Sequence, residues 1–268
     1  MYRFIGYLYS FKRYDMIQIK IKNMKEKSKN LITIGEAAEL LGVTVMTLRR
    51  WDESGRLLSI RKKTGSHRYY RREDIDVFLS DLFNFAKDWT ISQKEIPEQF
   101  YCQNSGIFQA RITKMETLMT QNKDTSKLFS LLTSIAGEIG NNSYDHNLGQ
   151  WPDTPGIFFG YDLNKKQIVL ADRGVGILET LKRVKPDLKN HKEALETAFT
   201  EIISGREPEA RGNGLKYVKN VISKNPINLL FQTGDAKLTL NANSADLNIE
   251  NSLENIRGCL ALITYNYK

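Results

Sequence analysis

Apolar residues recur at helical spacing in two short segments near the amino terminus. The first segment opens with Thr33-Ile-Gly-Glu36, where a Thr and a Glu three residues apart form a capping box that begins many helices. Gly42 follows the segment, and glycine commonly ends a helix because it tolerates left-handed backbone. The pattern predicts a short helix whose apolar face contains Ala37, Leu40 and Leu41.

A second helix is predicted between Thr44, which can cap its first turn, and Gly55, which can end its last. Its apolar side, expected to be buried, contains Val45, Leu48 and Trp51. The residues expected on or beside its open side are Thr44, Met46, Thr47, Arg49 and Arg50. Two short helices joined by a tight turn are typical of a helix-turn-helix, which places its second helix in the major groove of DNA.

A basic segment follows the second helix. Residues 56–72 contain seven Arg and Lys residues, no acidic residue, and a Thr64-Gly65 turn between β-prone flanks. We interpret this segment as a basic hairpin, or wing, because counterion release favours Lys and Arg beside phosphates. A solvated charged face is the alternative. Residues 73–79 resume a helical pattern with acidic residues in the first turn, where the helix dipole favours them.

Residues 31–80 resemble the MerR-type winged helix-turn-helix domain, in the variety seen in excisionases and some insertion-element recombinases. Both helices, the turn and the wing sequence Gly65-Ser-His-Arg-Tyr-Tyr70 agree with it in order and spacing. The resemblance implies that the second helix meets base edges or phosphates and that the wing grips the flanking backbone. Trp51 is expected in the core rather than stacked on a base. His67 is expected to form a hydrogen bond or to contact phosphate rather than to bind a metal. The implied contacts to double-stranded DNA are Thr44, Thr47, Arg49, Arg50, Arg61, Lys62, Lys63, His67, Arg68 and Tyr69.

Residues 81–127 are interpreted as a connector. Their helical stretch has an apolar face, which either packs in a core or forms a dimer seam. The second alternative follows from MerR-like proteins, which generally pair through a helix that follows the DNA-binding domain. Such pairing would make a homodimer whose two DNA-binding domains contact two half-sites. A polar run at residues 121–126 predicts a hinge. The apolar face contains Ile112, Met115, Leu118 and Met119.

The segment 128–148 predicts an amphipathic helix. Glu138, Asn142 and His146 follow one another at four-residue spacing on one side of it. A carboxylate and a carboxamide one turn apart can hold a water and a hydrated Mg²⁺ beside a triphosphate. An ordinary polar helix face has the same spacing. The apolar side contains Leu128, Leu131, Leu132, Ile135 and Ile139.

Two glycine pairs follow. Residues 156–162 and 167–171 read as the strands of a hairpin, and the second strand continues into Asp172-Arg-Gly174-Val-Gly176. An Asp at a strand end followed by glycines can accept from an exocyclic amine while the backbone passes close to a flat base. The second pair, Gly212-Asn-Gly214-Leu215, opens a predicted helix, where backbone N–H groups can approach phosphate oxygens.

In this order the three segments resemble the N-box and the two glycine boxes of the Bergerat-fold ATPases, the superfamily of DNA gyrase, histidine kinases and mismatch-repair ATPases. The resemblance implies an α/β sandwich, with a mostly antiparallel sheet, helices on one face and a mobile lid within residues 178–211. It also implies ATP and Mg²⁺ as cofactors. Glu138 would orient or activate the nucleophile, Asn142 would bind Mg²⁺, and Asp172 would recognise adenine. The other implied cofactor-binding residues are His146, Gly174, Gly176, Gly212, Gly214 and Leu215.

Two departures from that superfamily bear on activity. No His precedes the N-box in a helical dimerisation element of the kind that histidine kinases use, and the transducer domain of the gyrase-like enzymes is not expected after the core. Turnover is therefore expected to be slow or absent, and enzymatic activity stays an open question. His191, inside the expected lid, is expected to be solvated.

Composition supports this division. The 268 residues are 41% hydrophobic and 26% charged, an ordinary globular composition. Residues 1–80 contain 17 Lys and Arg against 9 Asp and Glu, whereas the remainder contains 22 of each, so the net charge of +8 comes from the first part. A basic terminus on a neutral remainder suggests a polyanion-binding module.

Cysteine use and the opening residues bear on location. Cys102 and Cys259 alone provide neither a disulfide framework nor a zinc site, which favours a reducing, cytoplasmic compartment. The apolar run at residues 2–11 is too short to cross a bilayer, so no membrane association is expected. Residues 1–30 read as a basic extension, within which Met24 is an alternative start.

The sequence thus predicts an α+β protein of two domains. They are a winged helix-turn-helix at 31–80 and, after the connector, an ATP-binding α/β sandwich at 128–268. The leading hypothesis is a DNA-binding transcriptional regulator whose DNA binding is coupled to ATP binding or slow hydrolysis. One alternative is a protein serine kinase or phosphotransfer switch like the anti-sigma kinases, which would require a protein partner. Another is an accessory DNA-processing factor of a mobile element or phage-defence system.

Overall fold

The computed structural model describes residues 31–61, 67–79, 81–121, 125, 127–201 and 214–266. The chain divides into two compact units, residues 1–80 and 81–268. Both α-helices and β-sheets are present, as the predicted mixed class requires. The expected extension, residues 1–30, lies outside the described residues.

The first unit combines a small antiparallel sheet with short helices. The strands pair in the order β1-β3-β2, where β1 is Leu31–Thr33, β2 is Ile60–Arg61 and β3 is Arg68–Arg71. The helices are α1 (Ile34–Leu41), α2 (Val45–Glu53) and α3 (Arg72–Leu79). The predicted helices and the antiparallel arms of the wing are therefore confirmed. The tip of the wing, residues 62–66, lies outside the described residues.

Local sequence explains where these helices begin and end. The Thr33 hydroxyl accepts from the Glu36 amide at 3.2 Å, and the Glu36 carboxylate accepts from the Thr33 amide at 2.7 Å, which completes the predicted capping box. Gly42 ends α1 with a φ of 62°. Trp51 is 4% exposed and its ring centroid lies 5.1 Å from that of Phe78, as expected for a core residue.

The second unit is built on a five-stranded antiparallel sheet in the order β4-β5-β6-β8-β7. The predicted hairpin is confirmed, because Ile157 pairs with Asp172 and Asp162 pairs with Gln167. The strands are β4 (Tyr101–Cys102), β5 (Ile157–Asp162), β6 (Gln167–Asp172), β7 (Ile227–Leu240) and β8 (Asn248–Tyr265). The helices are α4 (Leu82–Ser92), α5 (Ser105–Gln121), α6 (Phe129–Asn147), α7 (Gly176–Lys182), α8 (His191–Thr200) and α9 (Gly214–Ile222), and a 3₁₀ turn spans Glu98–Phe100.

The main core lies between one face of this sheet and helices α5, α6, α8 and α9. Phe159 and Leu170 project into it from β5 and β6. Ile112, Met115 and Met119 of α5 are buried there, as the core-packing alternative expected, but Leu118 of the predicted apolar face is 39% exposed. Residues 81–121 accordingly belong to the second compact unit.

Helix α4 covers the opposite face of the sheet. Successive strand residues point to opposite faces, so Phe158 faces away from the core that holds Phe159. The Phe158 ring packs on Phe100 at a centroid distance of 5.3 Å, and a Cβ atom on Gly160 would lie 3.0 Å from a Leu82 methyl carbon. The expectation that helices cover one face only is therefore wrong. Leu82, Phe85, Ala86 and Trp89 supply the buried surface of α4.

The described part of the expected lid, residues 178–201, is packed rather than open. It contains α8 and most of α7, and it buries Leu188, Ala194 and Phe199. Residues 202–211 lie outside the described residues. Within the described part of the chain, no helix has the length and apolar character needed to span a membrane.

Candidate functional site

Helix α2 carries the surface that the sequence assigns to DNA. Thr44 caps it, accepting from the Thr47 amide at 3.1 Å. Arg49 and Arg50 are exposed, as predicted. The expectation that Thr47 lies on the open side is wrong: it is 6% exposed, and its hydroxyl lies 2.9 Å from that of Thr44. Its place in the first turn, next to the cap, turns the side chain inward.

Asp52, at the end of α2, joins this helix to the wing. Its carboxylate accepts from the Ser59 amide at 2.8 Å, from Arg61 at 3.2 Å and from Arg68 at 2.7 Å. Arg68 also lies 3.3 Å from the Glu53 carboxylate. Arg61 and Arg68, both predicted to grip DNA, are thus held by acidic side chains of α2. They position the wing against the helix.

The electrostatics of Asp52 follow from this cluster. Burial opposes ionisation of the carboxyl group, but the hydrogen bonds from Arg68, Ser59 and Arg61 outweigh burial and lower the pKa of Asp52 well below its ordinary value. Because the pKa is lower in the folded protein, the ionised carboxylate stabilises the fold above pH about 4. That contribution is lost as the pH falls through the folded pKa.

Replacing Asp52 by Asn is expected to lower the stability of the first unit at pH 7 by about 1–2 kcal/mol. Calorimetric unfolding at pH 7 and pH 3 would measure it, and the gap between Asp52→Asn and wild type should narrow at the lower pH. Glu53→Gln is the matched control, because the Glu53 side chain is 67% exposed and its loss should have little effect. A pH-independent gap would contradict the role of the Asp52 charge.

The other predicted wing residues are only partly described. His67 is exposed, and Tyr69 is half-buried on β3 opposite Ile60 and Thr33. Lys62 and Lys63 lie outside the described residues.

In the second unit, α6 supplies one wall of a pocket. Its predicted apolar side is confirmed: Leu132, Ile135 and Ile139 are buried. Asn142 and His146, both predicted, line the pocket. Ser143 and Asn147 line it too, although sequence reasoning missed them. Ser143 and Asn147 follow Ile139 at four-residue spacing, on the buried side of the helix. Polar residues at positions where the pattern expects apolar ones could have indicated a site there.

Asp172, at the end of β6, also lines this pocket. It is 2% exposed, and its carboxylate accepts from the Ser143 hydroxyl and from the Gly174 amide, each at 2.8 Å. Burial raises the pKa of Asp172, and hydrogen bonds from Ser143 and from the Gly174 and Cys259 amides oppose the rise. The neighbouring Cys259 is a free thiol whose pKa is raised by burial and by the Asp172 carboxylate.

The first glycine pair forms the turn beside Asp172. A Cβ atom on Gly174 would lie 2.1 Å from the Asn147 amide nitrogen, so only glycine allows this approach. Asn147 accepts from the Val175 amide at 2.8 Å and donates to the Ser143 carbonyl at 2.8 Å. Gly176 has a φ of 79° and lines the pocket. The turn is thus attached to α6 by hydrogen bonds.

The second glycine pair brings α9 against α6. A Cβ atom on Gly214, the first residue of α9, would lie 2.5 Å from a Glu138 carboxylate oxygen and 3.3 Å from the Asn142 amide nitrogen. Leu215 lines the pocket. Gly212 lies outside the described residues. The structure therefore places Glu138, Asn142 and the amino terminus of α9 together.

The complete pocket joins both helices to the sheet. The pocket has about 380 Å³ of empty space when its mouth is included, but the enclosed cavity is only about 30 Å³. A planar ring of the size of adenine would therefore have to displace apolar side chains. Residues from β7 and β8 enter the lining only through tertiary contact, and sequence reasoning did not identify them. The lining comprises Ile139, Asn142, Ser143, His146, Asn147, Asp172, Gly176, Ile177, Thr180, Leu215, Phe231 and Cys259.

His191 does not behave as expected. It was expected to be solvated, but it is half-buried at the start of α8, and a Cβ atom on Gly234 would lie 2.3 Å from its ring. Among the described residues, no group of three or more His, Cys, Asp or Glu side chains is placed to hold a metal ion.

Comparison with known proteins identifies the family of the helix-turn-helix domain. Residues 33–70 match the model of the MerR family of regulatory proteins. Residues 33–70 are a MerR-family helix-turn-helix domain. The capped α1, the tight turn and α2 described above account for most of the match.

Two curated proteins are similar in sequence to part of this chain. One is the type II methyltransferase M.Eco47II of Escherichia coli, 38% identical over 61 residues, which are 23% of this chain and 15% of the methyltransferase. The other is the transcriptional repressor DcmR of Methylorubrum extorquens, 37% identical over 65 residues, which are 24% of each chain. The chain thus spans no more than a quarter of either relative.

Proposed function

We propose that this protein is a DNA-binding transcriptional regulator whose second unit binds Mg·ATP and whose affinity for DNA depends on that nucleotide. The observation that carries the proposal is the convergence of Asp172 and Asn142 on one pocket, with Glu138 and the start of α9 beside Asn142. The MerR-family domain supports the DNA-binding part.

On the DNA side, α2 is the element proposed to enter the major groove. Arg49 and Arg50 are exposed on it, and Met46, 58% exposed, extends the same surface. Arginine side chains on such a helix bind guanine edges or phosphates. Asp52 orients the adjoining wing by holding Arg61 and Arg68. Thr47 is buried, so Arg49 and Arg50 are the stronger candidates for base contact.

Replacing Arg49 by Gln is expected to weaken DNA binding by roughly 5- to 150-fold, the loss expected for one guanine contact. Mobility shifts at several salt concentrations would measure both the affinity and its salt dependence. Arg72→Gln is the matched control, because it removes the same charge from α3, where Arg72 pairs with Asp76 at 3.1 Å. Equal losses in the two variants would indicate a general charge effect rather than contact by α2.

In the second unit, the proposed base site is the part of the pocket around Asp172. Its carboxylate can accept from an exocyclic amine while the apolar residues Ile139, Ile177 and Phe231 contact the ring. The close approach of Gly174 to Asn147 fixes the backbone beside it. An antiparallel sheet with α6 and α9 on its pocket side is compatible with the proposed Bergerat-type α/β sandwich.

The proposed phosphate end lies where α6 meets α9. Gly214 begins α9 without a side chain, so its backbone can approach phosphate oxygens, and the positive end of the helix dipole favours them. The oxygen of the Asn142 amide would be a Mg²⁺ ligand, and Glu138 would orient an attacking water or hydroxyl. A bound Mg²⁺ neutralises charge on the phosphates.

The test is DNA binding with and without Mg·ATP. Coupling of the usual size would change DNA affinity by about fivefold or more when nucleotide is added. Asn142→Ala should bind DNA as wild type does in the absence of nucleotide, because Asn142 lies in the other unit, and it should lose the response. Equal DNA affinity of the wild type in both conditions would remove the coupling. Titration calorimetry of Mg·ATP into both proteins would show separately whether the pocket binds nucleotide.

A further inference from the structure

Asp172 and Arg173 are neighbours in sequence but serve opposite faces of the sheet. Successive residues of an extended strand point to opposite sides. Asp172 follows the alternation of Ile168 and Leu170, which lie in the core beneath α6. Arg173 reaches the other face, where α4 packs. The two side chains therefore place the pocket and α4 on either side of one backbone turn.

Arg173 is buried at the end of α4, where all three of its guanidinium nitrogens donate hydrogen bonds. It is 5% exposed, and its Nη1 atom donates to the carbonyl oxygens of Trp89 and Thr90, the latter at 3.0 Å. Its Nε and Nη2 atoms donate to the Asp153 carboxylate at 3.2 and 2.7 Å. Arg257 shares that carboxylate at 3.0 Å.

This arrangement suits a guanidinium group in particular. The Trp89 carbonyl accepts from the Gln93 amide at 3.1 Å as well as from Arg173, and a positive charge near the last carbonyl groups of a helix is favoured by the helix dipole. The planar guanidinium can satisfy two carbonyl groups and one carboxylate together, which a lysine ammonium cannot do with the same geometry. The end of α4 is thus fastened to the residue next to Asp172.

Hydrogen bonds hold the turn that contains Arg173 in one conformation. Asp172 accepts from the Gly174 amide at 2.8 Å, and Asn147 accepts from the Val175 amide at 2.8 Å. These hydrogen bonds hold the backbone that follows Arg173, and the pairing of Asp172 with Ile157 holds the backbone that precedes it. A ligand that engages the Asp172 carboxylate acts on the same short segment that holds α4.

We propose that Arg173 is a positioning residue that couples occupancy of the Asp172 pocket to α4, and through α4 to the DNA-reading unit. The inference rests on the proposed nucleotide site. Helix α4 begins at Leu82, and the first compact unit ends at Ser80, so α4 is the covalent extension of the reader. A nucleotide bound at Asp172 adds contacts to a turn that is already held by hydrogen bonds, so Arg173 holds the end of α4 more firmly and the helix opens less often.

Hydrogen exchange of the full-length protein tests the proposal. In wild type, saturating Mg·ATP is expected to slow exchange of the amides in residues 82–92 by roughly fivefold or more, the lower end of typical coupling. Arg173→Met keeps an unbranched apolar chain but no donors, and should show fast exchange that nucleotide does not change. Arg173→Lys, which keeps the charge, should show a reduced response. It serves as the second variant should Arg173→Met fold poorly.

Lys87→Gln is the matched control. It removes another ion pair between α4 and β8, from Lys87 to Glu254 at 2.9 Å, without touching the turn. Its exchange should be faster than in wild type but still slowed by Mg·ATP. A structural role alone would make the Arg173 and Lys87 variants respond alike, and that result would overturn the proposal.

The possible results distinguish the role of Arg173 from the proposed binding of Mg·ATP. If calorimetry shows that wild type binds Mg·ATP but exchange in residues 82–92 does not change, the relay through Arg173 is overturned and the nucleotide site stands. If wild type does not bind Mg·ATP, the nucleotide site and the relay are both overturned. A nucleotide response retained in full by Arg173→Met would also overturn the relay.

Discussion

Asp172→Asn is expected to weaken binding of Mg·ATP by about 10- to 150-fold, the equivalent of one hydrogen bond to a charged acceptor. The substitution is nearly isosteric but replaces one acceptor oxygen with a donor. Both oxygens are already in use within the protein, from Ser143 and from Gly174, so the new amide group disturbs the turn as well as the ligand. Titration calorimetry would measure the affinity.

Asp162→Asn is the control for this substitution. Asp162 ends β5 at the other end of the same hairpin, where it accepts from the Asn164 amide at 2.9 Å and the Lys165 amide at 3.0 Å. It carries the same charge but lies outside the pocket lining. Its variant should bind Mg·ATP as wild type does. Wild-type affinity in Asp172→Asn, with the fold intact by circular dichroism, would exclude Asp172 as the base-recognising group.

Gly258→Ala is expected to destabilise the second unit by about 2–4 kcal/mol, from left-handed backbone strain together with overpacking. Gly258 has a φ of 72°, and an added Cβ atom would lie 2.3 Å from the Asp172 carbonyl oxygen and 2.4 Å from its carboxylate. Because the nearest atom belongs to the backbone of β6, a side-chain rotation cannot relieve the contact. The midpoint of urea unfolding would fall accordingly.

Gly149→Ala separates the two sources of this cost. Gly149 has a φ of 71° in the same unit, but nothing lies within 4 Å of an added Cβ atom there. Its variant should lose only the backbone term, about 1–2 kcal/mol. Equal destabilisation at Gly149 and Gly258 would mean that the close approach to Asp172 costs nothing.

The reader could be predicted in some detail because its signals are local. The capping box at Thr33 and Glu36, the left-handed end at Gly42 and the cap at Thr44 each depend on residues a few positions apart. The burial of Thr47 could not be foreseen from the helical pattern alone. It depends on how the first turn of α2 sits against the rest of the unit.

The pocket was predictable in part. Glu138, Asn142 and Asp172 belong to motifs with their own spacing, so sequence reasoning could name them without knowing the fold. Thr233 and Phe231 lie on β7, far along the chain, and carry no motif. Thr233 nevertheless accepts from the Ile177 amide at 3.3 Å and donates to the Gly258 carbonyl at 2.9 Å, which ties the glycine turn to β7 and β8.

The amino-acid sequence alone accounts for the MerR-family reader, for the amphipathic α6 and for the two glycine pairs, because caps, helical spacing and backbone freedom act over a few residues. It does not account for α4 on the far face of the sheet, for the packed segment at 178–201, or for the contact of Arg173 with Trp89 and Thr90. Those features depend on strand order and on which face each strand residue occupies. Such choices are made when distant segments compete to bury apolar surface, and they exist only once the whole chain has packed.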